Sequence, residues 1–259
     1  MFDTFSDIFA RRDNVLTRVD PRAKLTVAFM LICAVILSDR PLLPISVAVV
    51  CMATMVSLRM PIKLICIRLL APMGIVLVLV VLKAFTTKGT PLVSLSVLGY
   101  VFVASSEGLR IGSVLGSRVF SAVSVMLLLS SVSPAHQIFH ALRWFRVPEV
   151  WVEIALLIYR YIFALLDQTS DLIVAQRVRL GYSSVTRSFF SVSVLAGTVV
   201  GRSMDQAMRT YEAMTLRGYQ GRYPFPPLPE MRWSDWVTIL AAFAAIATAY
   251  VMAQWWIAS

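Results

Sequence analysis

Residues 64–85 form an almost unbroken apolar stretch whose two charges, Arg68 and Lys83, sit near its ends, where long side chains can snorkel. About 20 such residues are what an α-helix needs to cross the hydrocarbon of a bilayer. Comparable stretches occupy roughly 23–38, 41–58 and 111–133. A fifth runs from about 234 to 257, with Trp233, Trp236, Trp255 and Trp256 at its two ends, the placement of an interfacial aromatic belt. Only 15% of the 259 residues are charged and 58% are hydrophobic, against about one quarter charged in soluble domains. Inside lipid every backbone polar group must be satisfied internally. The expected fold is therefore an all-α integral membrane protein with about five transmembrane helices.

Charge sets the orientation. The net charge of +10 reads as positive-inside asymmetry rather than as affinity for nucleic acid, since no aromatic-basic surface motif accompanies it. Arg11, Arg12, Arg18, Arg22 and Lys24 precede the first span, which places the N-terminus in the cytoplasm. Ser38-Asp39-Arg40-Pro41 is short enough to force a hairpin, and Arg59, Lys63 and Arg68 follow on the cytoplasmic side. Of the 24 Lys and Arg residues only Arg40, Lys83, Lys88 and Arg110 fall outside, with Arg118 inside a span. The opening MFDTFSDIF is too acidic for a secretory signal, so the first span is expected to direct insertion.

Three regions follow: 1–133 with four spans, a cytoplasmic region 134–233, and a last span in 234–259. In the middle region, 150–166 is apolar, but Glu153, Arg160 and Asp167 recur every seven residues on one helical face. Arginines flank it on both sides, and the run 189–200 is too short to span. Both read as amphipathic surface helices, in a cytoplasmic platform of two or three such helices; the competing reading makes them two further crossings. Leu92–Ala104, in the outer connection, is expected to be a short helix or a re-entrant segment. The proline-rich stretch Tyr223 to Pro229 is expected to be a stiff connector.

One short pattern occurs twice in the cytoplasmic region. Ala175-Gln-Arg-Val-Arg179-Leu-Gly181-Tyr182 is echoed by Ala213-Met-Thr-Leu-Arg217-Gly218-Tyr219. Four residues place Ala and Arg on the same helical face. Gly after Arg suits a left-handed cap, so each Arg should close its helix. Small Ala permits close approach, and Arg offers fixed donors to carboxylates or carbonyls. Taken singly, each Arg is an ordinary last-turn cation favoured by the helix dipole; repetition favours two similar plugs for a partner present in two copies.

Together with Val19-Asp20-Pro21-Arg22-Ala23-Lys24-Leu25, these motifs make the chain resemble the transmembrane T component of energy-coupling factor transporters, of the cobalt/nickel permease type. The likeness covers nearly the whole chain; Leu180, between Arg179 and Gly181, departs from the family pattern. The resemblance implies a multi-pass protein of a prokaryotic cytoplasmic membrane, without enzymatic activity or cofactor of its own. Its implied partners are two ATP-binding cassette subunits, which use ATP, and a substrate-binding membrane subunit. Arg179 and Arg217 would then contact the ATPases, with Ala175, Ala213, Gly181 and Gly218 allowing close approach. Cobalt is the first substrate implied, then nickel, then biotin or another vitamin. Asp20, Pro21, Arg22 and Lys24 read as structural, Asp20 as N-cap and Pro21 at the first helical position.

His136 and His140, spaced i,i+4, match a metal pair, but no nearby Cys or carboxylate completes a site, and an interfacial helix end is the favoured reading. Arg118, beside Gly112 and Gly116 in an apolar run, either meets a partner subunit or closes a polar gap, with Glu107 about three turns away. The P-loop, GxSxG and HExxH motifs are absent. A self-sufficient secondary transporter or channel is the alternative reading, with an intramembrane enzyme behind it; both predict function in the chain alone.

Overall fold

The computed structural model describes residues 19–58, 60, 62–87, 90–97, 100–221 and 231–255. Arg11, Arg12, Arg18, Arg59, Lys88, Trp256 and the proline-rich 223–229 connector lie outside the described residues. Two compact units form, one within residues 136–229 and the other within 6–135 and 230–259.

The second of these units holds the membrane helices. α1 (Pro21–Leu37) starts where Asp20 accepts from the Arg22 backbone N–H at 2.9 Å, with Pro21 at the first position. α2 (Leu42–Ser57) and α3 (Ile62–Thr86) follow, then α4 (Ser106–Val132), and α8 (Trp233–Trp255) closes the unit. Among the described residues three stretches are long and apolar enough to cross a membrane: Ile65–Thr86, Ser106–Val132 and Trp233–Met252. α2 is apolar but has 16 residues, and α1 has 17. The five expected spans thus divide into three of full length and a shorter hairpin pair, cut by the turn at Ser38–Pro41. Pro72 lies inside α3 without ending it, as membrane helices tolerate.

α4 is the hub, packing against α1, α2 and most extensively α3. In lipid two apolar helices gain little by meeting, so close backbone approach has to supply the attraction. Gly108, Gly112 and Gly116 provide it. A Cβ on Gly108 would collide with the Lys83 carbonyl oxygen, and one on Gly112 would come within 3.0 Å of Val80 Cα. On other faces of α4, Val125 packs with Ala28 and Cys51, while Phe120, Val123 and Leu127 cover Met55, Ile65 and Leu69.

Between α3 and α4 the expected helix or re-entrant segment at Leu92–Ala104 is instead an antiparallel hairpin, β1 (Pro91–Val97) and β2 (Tyr100–Ser105), pairing Val93 with Ala104 and Val97 with Tyr100. Val93-Ser-Leu-Ser-Val97 alternates with period two, and valines recur at 93, 97, 101 and 103, which a strand accommodates better than a helix. Ser105 then caps α4, accepting from Gly108 N–H at 3.1 Å and donating to the Thr87 carbonyl at 2.6 Å.

The other unit consists of α5 (Ala135–Leu142, entered one residue earlier), α6 (Glu149–Val178) and α7 (Val185–Leu216), with α6 packed against α7. The apolar run 150–166 continues without a break into the first Ala/Arg motif, and 189–200 into the second, giving helices of 30 and 32 residues. Neither is among the helices apolar enough to cross. The Glu153–Arg160–Asp167 stripe is not uniformly solvated: Glu153 is buried, Arg160 and Asp167 are exposed.

Gly108→Ala should cost about 1–3 kcal/mol through overpacking and lower the thermal midpoint in detergent. Gly74→Ala in α3, where a Cβ meets nothing within 4 Å, should leave it unchanged or raise it.

Candidate functional site

The two Ala/Arg motifs end their helices in the same way. Arg217 is the C-cap of α7; Gly218, at φ +83°, donates to the Thr215 carbonyl at 2.9 Å, and Tyr219 N–H donates to Met214 at 3.0 Å. That pair of bonds is a Schellman cap. Arg179 is the C-cap of α6, where Leu180 N–H donates to Arg177 at 3.1 Å and Gly181 N–H to Gln176 at 2.9 Å. The hydrogen-bond pattern is the same, but Leu180 occupies the left-handed position at φ 56°, at a cost of roughly 1 kcal/mol for a side chain there.

Gly181 is displaced by one position because it has another task. A Cβ there would collide with Ser191 Oγ of α7 and approach the Gln176 carbonyl to 2.9 Å, and Ser191 Oγ donates to the Gly181 carbonyl at 3.0 Å. The first cap is therefore bolted to the start of α7. Gly218 meets nothing within 4 Å; it serves the backbone angle alone.

Ala175, Arg179, Ala213, Arg217 and Gly218 are all exposed. Neither guanidinium has a hydrogen bond or ion pair among the described residues, in contrast to Arg143, which pairs with Glu149 at 3.2 Å. Beside the second cap the Tyr219 hydroxyl faces Glu153, whose hydrogen-bonding pull, with desolvation and negative charge, holds the phenol above its ordinary pKa. Glu153 is buried with Oε1 unpartnered among the described residues. An apolar groove of about 430 Å³ runs from there between α6 and α7, lined by Ile154, Leu157, Ile158, Tyr161, Met214 and Tyr219.

The N-terminal element has a partner that sequence reading missed. Asp235, 6% exposed in the first turn of α8, accepts from Arg232 N–H at 3.2 Å and from Asp20 N–H at 3.3 Å. The first bond is the return half of a capping box; the second ties the start of α1 to the start of α8. Buried Arg22 lies 3.9 Å from the Asp20 carboxylate, and Lys24 lies within reach of both acids. An acid third in a helix that opens Trp-Ser-Asp-Trp was the available signal.

Arg118 donates to the Ser38 carbonyl through Nε at 3.1 Å and Nη2 at 2.7 Å, and lies 3.5 Å from Asp39. It thus caps the end of α1, and Glu107 is not its partner. The charge sits at the level of the α1–α2 turn because that hairpin is shorter than α4. His136 is exposed and His140 half-buried on α5; among the described residues no three His, Cys, Asp or Glu side chains converge on a metal-sized site.

The family model described as cobalt transport protein, CbiQ, matches residues 12–227, a range that contains the Asp20 element and both caps. The chain belongs to the CbiQ cobalt transport family. An uncharacterised protein of Methanocaldococcus jannaschii is 26% identical over 210 residues, covering 81% of this chain and 78% of the relative. The cobalt transport protein CbiQ of Rhodobacter capsulatus is 34% identical over 93 residues, 36% of this chain and 38% of its own length. A putative fused cobalt transport protein, CbiMQ, of Methanocorpusculum labreanum is 26% identical over 125 residues, 48% of this chain and 21% of the relative. CbiQ membership and the apolar helices make the chain a membrane component of cobalt transport, in a family of transport proteins rather than enzymes. Asp235 lies beyond the matched range.

Asp235→Ala should destabilise the protein by about 3 kcal/mol, because it strands two backbone donors beside buried positive charge; Asp235→Asn should lose less. Thermal unfolding in detergent measures both. Burial, then His136 and Arg143, hold His140 below its ordinary 6.5. A group with a depressed basic pKa binds its proton more readily when unfolded, so stability present above 6.5 should fall as pH drops through the folded value. Melting curves between pH 7.5 and 5 should show this slope, and His140→Asn should flatten it.

Proposed function

We propose that this CbiQ-family chain is the coupling subunit of an ATP-driven importer in a prokaryotic cytoplasmic membrane, its N-terminus cytoplasmic and cobalt its first substrate, nickel its second. The observation that carries the reading is the pair of identically hydrogen-bonded helix ends, each presenting an exposed arginine without a partner among the described residues. Two similar ends suit two similar acceptors, and the resemblance to energy-coupling factor T components supplies their kind: two ATP-binding cassette subunits. ATP would be used by those subunits, with no cofactor held by this chain.

Arg179 and Arg217 would each enter an acceptor and pair with carboxylates or helix-end carbonyls. Ala175 and Ala213, one turn earlier on the same face, would let that surface come close. Because the arginines close helices of 30 and 32 residues, a displacement at either end is carried along a rod about 45 Å long. The rods would then shift a substrate-binding membrane subunit and alternate its access. The fused relative, far longer than this chain, supports a further membrane subunit as a standing partner. Arg118, on which a self-sufficient transporter would have rested, is committed to the Ser38 carbonyl.

Purification in mild detergent from the native host should bring down two ATP-binding cassette copies and a small membrane subunit, identified by mass spectrometry. Arg217→Glu and Arg179→Glu should each cut ATPase retention at least tenfold without lowering the thermal midpoint. Undiminished retention in the double variant, or cobalt uptake by the chain alone in liposomes, would overturn the proposal.

A further inference from the structure

The corner between α5 and α6 is an apolar surface that the coupling reading does not use. Its backbone is fixed: Trp144 N–H donates to Ala141 at 3.0 Å, Phe145 to Leu142 at 3.1 Å, and Arg146 to Arg143 at 3.2 Å. Arg146 closes the turn at φ 60°. The corner then turns its large side chains outward. Trp144 is 39% exposed, Phe145 42%, and, after Pro148, Val150 54% and Trp151 69%. Trp144 and Phe145 stack edge to face, with centroids 5.1 Å apart, so they present one rigid aromatic block. Arg143 and Arg146 flank it, and Arg143 is steadied by Glu149.

We infer that this corner is a membrane-interface anchor, seated in the headgroup layer and selective for anionic phospholipid. Continuity of the chain limits where it can go. α4, long and apolar enough to cross the membrane, ends at Val132, and an eight-residue helix, α5, leads from there to the corner. That helix adds only about 12 Å of chain, so the corner follows the span after a short covalent tether. Two tryptophans and a phenylalanine interleaved with arginines are the composition that partitions to the interface, with rings at headgroup level and guanidinium groups on phosphates. A protein contact would cover the same rings, but the corner is a tight turn with its rings outward rather than a groove. The anchor rests on α4 crossing the membrane and is independent of the ATPase contacts.

The test uses the full chain, with Cys33, Cys51 and Cys66 replaced by Ala, reconstituted into vesicles of phosphatidylcholine with or without phosphatidylglycerol. Nitroxide labels are placed singly at Phe145→Cys, Trp151→Cys and, as an exposed control on α6, Asp171→Cys. In anionic vesicles labels at 145 and 151 should collide several-fold more with oxygen than with a water-soluble nickel chelate, relative to the label at 171. Arg146→Asn keeps a residue that tolerates positive φ and removes one charge. It should lower the membrane-seated fraction about fivefold in anionic vesicles, at about 1 kcal/mol per basic residue, and leave it unchanged in neutral ones. Nickel-accessible labels at 145 and 151 would overturn the anchor. Labels shielded from both reagents would overturn it in favour of a protein contact, and seating indifferent to lipid charge would overturn the anionic selectivity.

Discussion

In hydrocarbon, apolar side chains gain almost nothing by meeting one another, so cohesion of the membrane unit has to come from close packing and from polar ties. α4 meets that constraint along its whole length. Its glycines let the α3 backbone approach to contact distance, and Ser121, Ser124 and Ser131 keep the buried surface small where larger side chains would hold the helices apart. The apolar clusters around Cys51 and Met55 fill what remains. Most other large apolar side chains of α2 and α3 point outward, as lipid-facing residues do.

The polar ties sit at helix ends, where carbonyls and N–H groups lack intrahelical partners. Arg118 supplies donors to the end of α1; Asp235 supplies acceptors at the starts of α1 and α8. Each is a charge in an apolar chain that looks costly when read singly and becomes explicable once its partner is known. The arginines of the two Ala/Arg motifs follow the opposite logic. Arg179 and Arg217 also stand at helix ends, but there the cap is completed by backbone bonds alone, which leaves both guanidinium groups outside. A helix end that needs nothing from its arginine can offer that arginine to another molecule.

The class of fold, the order of helices, the Asp20–Pro21 start of α1 and the helix ends at Arg179 and Arg217 were legible in the sequence, because hydropathy, proline and capping chemistry act over a few neighbouring residues. The hairpin at Pro91–Ser105 was legible too, in its period-two alternation, but apolar content beside a membrane pointed toward helix or re-entry. The apolar run 150–166 and the first motif share one helix, because nothing between 166 and 178 breaks it. Leu180 shows that a cap is defined by hydrogen bonds, and that its glycine can be moved when packing against Ser191 requires one at the next position.

By itself the sequence determined that this chain is a helical membrane protein with two matched, arginine-closed helix ends, since those properties depend on local composition and spacing. Tertiary structure alone decided that Arg118 answers Ser38, that Asp20 answers Asp235 across 215 positions, and that Glu153 lies buried beside Tyr219. The physical reason is common to all three. A charged or polar group among apolar helices depends on whichever polar group the fold brings beside it, and only the packing of distant helices fixes which group that is.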